Sequence, residues 1–408
     1  MSFKAPMMDR NNNRVFVSGM GIISSLGMGI QTNLDGLIEG KSGIGPIHHL
    51  KTRLSSELIA GEVSCSNEEL IDISGIKNTR GISRAALLGL MAAKEAIKEV
   101  DLHDPNIRTG IIVGTTADSM SHIELYLQDF LKNDSRNEFI ESQDWGFSTE
   151  IIACELGISG YQTTINTACS SAANAIMTGT RMIKHNLLDR VLVGGTDALS
   201  KVMLNGFHAL MIVDPDVCKP FDRDRKGLSL GEGAAFLLLE SEKLAQKKKV
   251  ICELSGHGNA NDAHHLTAQS PDGKGVAMAM ELALTDSCLE ANEIHYINAH
   301  GTGSENNDLS EILGIEKVFD NDAPPFSSTK PFTGHTLGSS GALEAVFSIL
   351  SLQHQLIFPN LNFSNQMLET QLKPETNLMS TQQVNHVLSN SLGFGGNNTS
   401  LIFSKLAL

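Results

Sequence analysis

The sequence predicts an α/β fold of layered helices and sheets, and two observations carry that prediction. Short β-favouring runs ending in glycine alternate with stretches whose apolar residues fall near helical spacing, as βα units do. Four landmarks also occur twice in the same order, so the fold is expected to be duplicated, with residues 14–249 forming one half and 250–408 the other. At 408 residues, 41% hydrophobic and 19% charged, the chain can bury a sizeable core.

Residues 1–13 are polar and Asn-rich and are expected to be a disordered tail. They contain no apolar run of the kind a signal peptide needs, and no apolar stretch approaches the ~20 residues that span a bilayer. A soluble, cytoplasmic protein without a membrane partner is expected. The strand-like runs follow in order: Arg14-Val-Phe-Val-Ser-Gly19, Gly110-Ile-Ile-Val-Gly114, Arg190-Val-Leu-Val-Gly-Gly195 and Ala234-Ala-Phe-Leu-Leu-Leu-Glu240. Their continuous apolar character predicts a sheet covered on both faces. Residues 83–100 read as a helix with lysines and glutamates outside.

The repeated landmarks place the halves against each other. Ser18-Gly-Met-Gly21 is echoed by Ser255-Gly-His-Gly258, and Ile111-Ile-Val-Gly114 by Ile294-His-Tyr-Ile-Asn-Ala-His-Gly301. Thr167-Ala-Cys-Ser-Ser-Ala-Ala173 is echoed by Thr336-Leu-Gly-Ser-Ser-Gly-Ala342, and Val191-Leu-Val-Gly-Gly195 by the segment Val387 to Gly396. Cys169 therefore corresponds to Gly338: one half carries a thiol where the other carries no side chain.

The six cysteines are scattered, which excludes a zinc ribbon and a dense disulfide framework. Cys169 differs from the rest in standing where a β-favouring run, Thr163-Thr-Ile-Asn166, meets helix-forming sequence. A helix N-terminus there favours thiolate, lowers the thiol pKa and offers backbone N–H groups to an oxyanion. The plainer alternative is a small buried core residue, the commoner use of cysteine. Two histidines join it: His300 in Asn298-Ala-His-Gly-Thr-Gly-Ser304 and His335 in Ser328-Thr-Lys-Pro-Phe-Thr-Gly-His335, both at strand-end or helix-start positions where open α/β sheets place their sites. The doublets His48-His49 and His264-His265 make poor metal pairs, since adjacent strand residues face opposite ways, and no metal site is expected. Gly19-Met-Gly21 lacks the third glycine of a dinucleotide fingerprint, and Asp222-Arg-Asp-Arg-Lys-Gly227 lacks the later ligands of a calcium loop.

Taken together, Val17-Ser-Gly-Met-Gly21 with Ser25-Leu-Gly27, Thr167-Ala-Cys-Ser-Ser171, Lys219-Pro-Phe-Asp-Arg-Asp-Arg-Lys-Gly227, Leu230-Gly-Glu-Gly-Ala234, Asn298-Ala-His-Gly-Thr302, Ser328-Thr-Lys330 with Thr333-Gly-His335, and Asn390-Ser-Leu-Gly-Phe-Gly-Gly396 resemble a β-ketoacyl-[acyl-carrier-protein] synthase of the elongating Cys-His-His type. The resemblance spans residue 14 to about 405. It implies a thiolase-like fold, a duplicated α-β-α-β-α sandwich, and a homodimer. It also implies decarboxylative Claisen condensation with no cofactor of its own, the phosphopantetheine arriving on the carrier protein. Acyl- and malonyl-carrier proteins are the implied partners.

The same resemblance assigns roles. Cys169 is the implied nucleophile, and His300 and His335 hold the malonyl thioester carbonyl and the enolate. Backbone N–H groups of Cys169 and Phe394 receive the oxyanion, and Phe394 also acts as a gate among flexible glycines. Lys330 and Glu344 support the histidines, or form an ordinary ion pair. Thr302, Ser304 and Thr267 contact the pantetheine arm. Asp308 and Glu311 are expected to be structural.

The sequence departs from the family in three places. Ser304 stands where a threonine is usual, Leu392 replaces a phenylalanine, and Gly206 to Phe221 is short, resembling ketosynthases of specialised polyene-type pathways. A cysteine-lacking chain-length-factor subunit is excluded by Cys169. A catalytically silent partner subunit is a competing reading, and a coenzyme A-dependent thiolase a weaker one, because no cysteine lies near the C-terminus. A net charge of −15 argues against a nucleic-acid partner and sets a puzzle, since carrier proteins are acidic as well. Lys219, Arg223, Arg225 and Lys226, with Lys51, Arg53, Arg80 and Arg84, are the basic residues available to meet one.

Overall fold

A computed structural model describes residues 14–102, 104–118, 120–133, 143–320, 322–381 and 383–406. The expected tail at 1–13 lies outside the described residues. Among the described residues the principal sheet has eleven strands, ten of them in one path: β1 Val15–Ser24, β2 Thr109–Gly114, β3 Gln162–Ile165, β4 Arg190–Asp197, β5 Gly233–Ser241, β6 Cys252–Asn261, β7 Tyr296–Asn298, β8 Phe326–Ser327, β9 His386–Gly393 and β10 Asn397–Ser404. Their order is β8-β7-β9-β10-β6-β1-β5-β4-β2-β3, with Gly27–Met28 paired to β1. Counted outward from the centre, one side runs β1, β5, β4, β2, β3 and the other β6, β10, β9, β7, β8. The two sides thus repeat one topology, joined where Phe16 and Val17 pair with Glu253 and Cys252.

Among the helices, six bear on the site: α1 Arg84–Ala96, α2 Ser171–Lys184, α3 Lys201–Ala209, α4 Lys274–Ser287, α5 Glu305–Phe319 and α6 Ser340–His354. α1 begins where the Ser83 side chain accepts a hydrogen bond from the Ala86 N–H, satisfying one of the donors a helix start leaves over. It covers the outer face of β1 and β5, while α4 and α5 cover the second side. α2 and α6 pack against each other between the two sides. Residues 340–352 of α6 are all buried, as a helix enclosed on every side must be. The result is an α-β-α-β-α sandwich.

The Gly-x-Gly landmarks have a packing reason. A Cβ on Gly21 would lie 2.1 Å from the Ala92 carbonyl oxygen of α1, and one on Gly258 2.1 Å from the Ala279 carbonyl oxygen of α4. Strand and helix backbones touch there, so a side chain has no room. In the fourth landmark the strands β4 and β9 match, but the glycine pairs do not. Gly194 and Gly195 lie inside β4, whereas Gly395 and Gly396 form the turn after β9.

The third landmark matches down to its backbone. Ala168 and Leu337, each just before the Cys169/Gly338 position, both have φ 54. At Gly338 an added Cβ would lie 2.5 Å from Thr116 Oγ1 and 2.7 Å from Asp197 Oδ2, so the second turn admits no side chain. Gly338→Ala should destabilise the fold by about 1–3 kcal/mol, as overpacking of a rigid interior does. Urea denaturation measures this, and an unchanged midpoint would show that the turn has more slack than these distances allow.

Candidate active site

Cys169 lies two residues before α2 and is 4% exposed. Its turn is tied down on several sides. The Thr167 N–H donates to Ser171 Oγ at 3.0 Å, and Thr116 Oγ1 donates to the Ala168 carbonyl at 3.2 Å. From the opposite half, Asn397 Oδ1 accepts from Ser170 Oγ and Asn174 Nδ2, each at 2.8 Å, and from Asn259 Nδ2 at 3.0 Å. A buried polar network of this kind is rigid when its members are paired.

The expected low thiol pKa is not what the site produces. Burial pushes the Cys169 thiol up to about 12, while the Lys330 charge and the Phe394 backbone N–H, which donates toward the sulfur, act the other way. Burial dominates because a thiolate there loses most of its hydration. The resting group is a thiol.

His300 follows β7, and its backbone is gripped from α5. The His300 and Gly301 N–H groups donate to Glu311 Oε1 and Oε2 at 2.7 and 2.8 Å, and the Thr302 N–H to Asp308 Oδ1 at 3.0 Å. Both acidic residues thus shape the loop from behind. The Lys330 Nζ donates to His300 Nδ1 at 3.1 Å, to the His300 carbonyl at 2.6 Å and to Glu344 Oε1. An ammonium can only donate, so Nδ1 accepts and the imidazole proton sits on Nε2. The His335 backbone N–H bonds the Ser229 carbonyl at 2.7 Å, and its Nδ1 lies 2.9 Å from Ser340 Oγ at the start of α6. The two rings stand 5.3 Å apart and nearly perpendicular, at 88°.

Burial holds both imidazoles well below their ordinary pKa, helped by the Lys330 charge and, for His300, by His335. Both are therefore neutral at pH 7. Burial lifts the Glu344 carboxyl to about 7 while Lys330 pulls it down. Burial also raises Glu311 to about 7, against the Gly301 and His300 N–H groups that donate to it.

Cys169, His300, His335, Phe394, Thr267, Thr302 and Ser304 line one cavity of about 350 Å³. Lys330 and Glu344 stand behind its histidines instead of on its wall. Thr302 Oγ1 and Ser304 Oγ bond each other at 2.9 Å, and Thr267 is exposed at the mouth beside His265. No group of three or more His, Cys, Asp or Glu among the described residues is arranged to hold a metal.

Several wall residues were not foreseen, Phe207 and Gln269 among them. Phe207 of α3 stacks on Phe394, with ring centroids 5.8 Å apart and planes 18° from parallel. It belongs to the short Gly206–Phe221 segment, which was the available signal. Gln269 also lines the cavity, and so does Lys226, one of the basic residues expected to meet a partner. Two of the basic residues set aside for a partner are spent internally. Arg225 donates to the Asp222, Ser304 and Glu305 carbonyls. Arg84 pairs with Glu232 at 2.7 Å. Buried cations need such partners.

A thiol raised in this way makes its own prediction. Alkylation of Cys169 by a haloacetamide should quicken about tenfold per pH unit from pH 7 to 9, because the thiolate fraction keeps rising below the pKa. A plateau near neutrality, followed by mass spectrometry of the modified peptide, would mean that the helix terminus wins after all.

Residues 12–245 match the family model for the β-ketoacyl synthase N-terminal domain, and residues 251–364 that for the C-terminal domain. The chain is 32% identical to 3-oxoacyl-[acyl-carrier-protein] synthase 2 of Staphylococcus aureus, over 97% of this chain and 99% of that one. Among solved structures it is similar to the ishigamide ketosynthase/chain length factor, at 31% identity and a TM-score of 0.89, covering 97% of this chain and all (100%) of that one. It is also similar to the ketosynthase ApeO, solved in complex with its chain length factor ApeC from Xenorhabdus doucetiae, at 30% identity and a TM-score of 0.82, covering 99% and 100% of the two chains. On sequence and structure together, the chain belongs to the β-ketoacyl synthase family of condensing acyltransferases, built on the thiolase-type layered fold.

Proposed function

We propose that this chain condenses an acyl group held on Cys169 with a malonyl group delivered on a carrier protein, giving a 3-oxoacyl-carrier product for fatty-acid or polyketide-type synthesis. The observation that carries this reading is a buried thiol sharing one cavity with two neutral imidazoles. In the first half-reaction the sulfur attacks the acyl thioester carbon. The C–S bond to the carrier breaks, and the thiol proton leaves with the carrier's thiol. In the second, the malonyl C–C bond breaks and releases carbon dioxide, leaving an enolate whose oxygen lies against the histidines. His300 Nε2–H, fixed as a donor by Lys330, is suited to a developing negative charge, and neutral imidazoles need no deprotonation first. The enolate carbon then attacks the acyl-Cys169 carbon and expels the sulfur as a thiolate, which takes its proton from solvent. Backbone N–H groups of Cys169 and Phe394 would hold the oxyanion formed in both acyl transfers.

Lys330 and Glu344 act in this reading through His300 and are positioning residues. Thr302, Ser304 and Thr267 would contact the pantetheine arm along the wall toward the mouth. We also propose that residues 14–249 and 250–408 are the two duplicated halves and that the working unit is a dimer. A homodimer is one form. Pairing with a chain-length-factor-like second chain is the other, favoured by the likeness to ketosynthases solved with such a partner. Mass measurement of the native complex separates the two.

Incubation with an acyl-carrier protein should leave one acyl adduct on Cys169, visible by intact mass, and none on Cys169→Ala. A wild-type protein that takes no adduct from any chain length would end the proposal. His300→Ala should cut carbon dioxide release from malonyl-carrier by about a hundredfold or more, the usual cost of losing an oxyanion donor. A loss below threefold would remove His300 from the decarboxylation step.

For the carrier, exposed Lys226 on the cavity wall is the basic residue best placed to meet an acidic partner. Lys226→Glu should weaken carrier binding several-fold at low salt and little at high salt, as a screened surface charge does. Equal affinity at both ionic strengths would place the docking patch elsewhere, with Lys51 and Arg53 next to be tested.

A further inference from the structure

We propose that Gln269 is a positioning residue for the oxyanion site, acting through the peptide between Gly393 and Phe394. Its Nε2 donates to the Gly393 carbonyl at 2.8 Å. That carbonyl and the Phe394 N–H belong to the same peptide unit, and the chain has no cis peptide among the described residues. In a planar trans peptide the two point in opposite directions. Holding the carbonyl toward Gln269 therefore aims the Phe394 N–H away from it, and that N–H is the one directed at the Cys169 sulfur.

Other bonds also tie the turn from outside: the Gly395 N–H donates to the Leu266 carbonyl at 2.8 Å, Asn261 Nδ2 to the Gly395 carbonyl at 2.9 Å and the Asp262 N–H to the Gly396 carbonyl at 3.0 Å, but none of them touches the peptide between Gly393 and Phe394. The Gly396 N–H does reach the Gly393 carbonyl, at 3.2 Å, but from within the same turn as Phe394. Gln269 comes from outside the turn, on backbone anchored by the Ser270 N–H to Asp262 Oδ2 at 2.9 Å and by Ser310 Oγ to the Ser270 carbonyl at 2.8 Å. Gly393 itself has little freedom, since an added Cβ would lie 2.6 Å from the Thr167 carbonyl oxygen beside the nucleophile.

The amide's own state points the same way. A carbonyl can only accept, so the NH₂ end must face Gly393 and Oε1 must face elsewhere. Gln269 is 4% exposed, lines the cavity wall, and its Oε1 has no hydrogen-bond partner among the described residues. Buried amides ordinarily satisfy both ends. This one leaves an acceptor unpaired in order to place its donor on a single carbonyl, and a residue serving packing alone would do better as methionine or leucine.

The inference rests on the reading that Cys169 takes an acyl group, and its test separates the two. Gln269→Met keeps length and volume but removes the donor. In that variant, acylation of Cys169 by an acyl-pantetheine thioester, which passes through an oxyanion, should slow about tenfold to a hundredfold. Alkylation by a haloacetamide, a displacement at saturated carbon with no oxyanion, should change less than threefold. Carbon dioxide release from a malonyl thioester, which draws on the histidines, should also fall less than threefold.

A second variant guards against a simple folding defect. Gln269→Glu offers a donor only when protonated, so its acylation rate relative to wild type should rise as pH falls, whereas the relative rate of Gln269→Met should stay flat. Equal losses in acylation, alkylation and decarboxylation, or acylation within twofold of wild type, would overturn the positioning role. Failure of the wild-type protein to acylate from any thioester would instead overturn the proposed function on which it stands.

Discussion

The close approach of α2 and α6 in the middle of the molecule is the constraint from which the site follows. A Cβ on Gly341 of α6 would lie 2.9 Å from both the Ala173 nitrogen and its Cβ, on α2. Helices this near can meet only through the smallest residues, and the Ser-Ser-Ala-Ala and Ser-Ser-Gly-Ala starts supply them. Because the contact lies at the helix starts, it brings together the two turns that precede them. One turn carries Cys169 and the other follows His335. Asp197, at the end of β4, fastens the arrangement by accepting from Thr115 Oγ1 at 2.7 Å, the Ala117 N–H at 2.9 Å and the Gly338 N–H at 2.7 Å. One buried carboxylate thus spans both halves.

Enclosure then determines the chemistry. A lysine ammonium without water must find acceptors, and Lys330 finds three, two of them on His300. The cation therefore orients the imidazole and also keeps it from taking a proton. Desolvation does the rest, holding both histidines neutral and the cysteine protonated. A site with a neutral thiol and neutral imidazoles keeps little charge of its own until reaction creates it. Fixed N–H donors in a small, mostly enclosed cavity are then worth more than the same donors in water.

Several parts of this arrangement were legible residue by residue. The strand runs, the helix from Ser83, the doubled landmarks and the Cys169, His300 and His335 motifs all rest on local requirements that a short segment displays. Gln269 was not legible, because its partner Gly393 lies far along the chain and it stands in no motif, and for Phe207 the short Gly206–Phe221 segment was a signal that did not single out the residue. Arg84 and Arg225 misled for the same reason. As sequence they are surface cations, and only folding encloses each with its acceptors. The glycine pairs of β4 and of the turn after β9 looked equivalent because both follow a Val-Leu start, yet one pair clears space inside a sheet and the other turns the chain.

By itself the sequence determined the layered α/β class, its repetition, the family resemblance, and which thiol and imidazoles were the candidates for the site. These depend on spacing, turn-forming residues and hydrophobic pattern, which act over a few residues at a time. Tertiary structure alone decided that nine residues chosen from separate motifs would sort into seven on a cavity wall and two behind it. It also reversed the expected thiol pKa, since proximity to a helix start is written in the sequence whereas the extent of desolvation is not. Burial sums contributions from every segment that closes around an atom, and no single stretch of chain carries that sum.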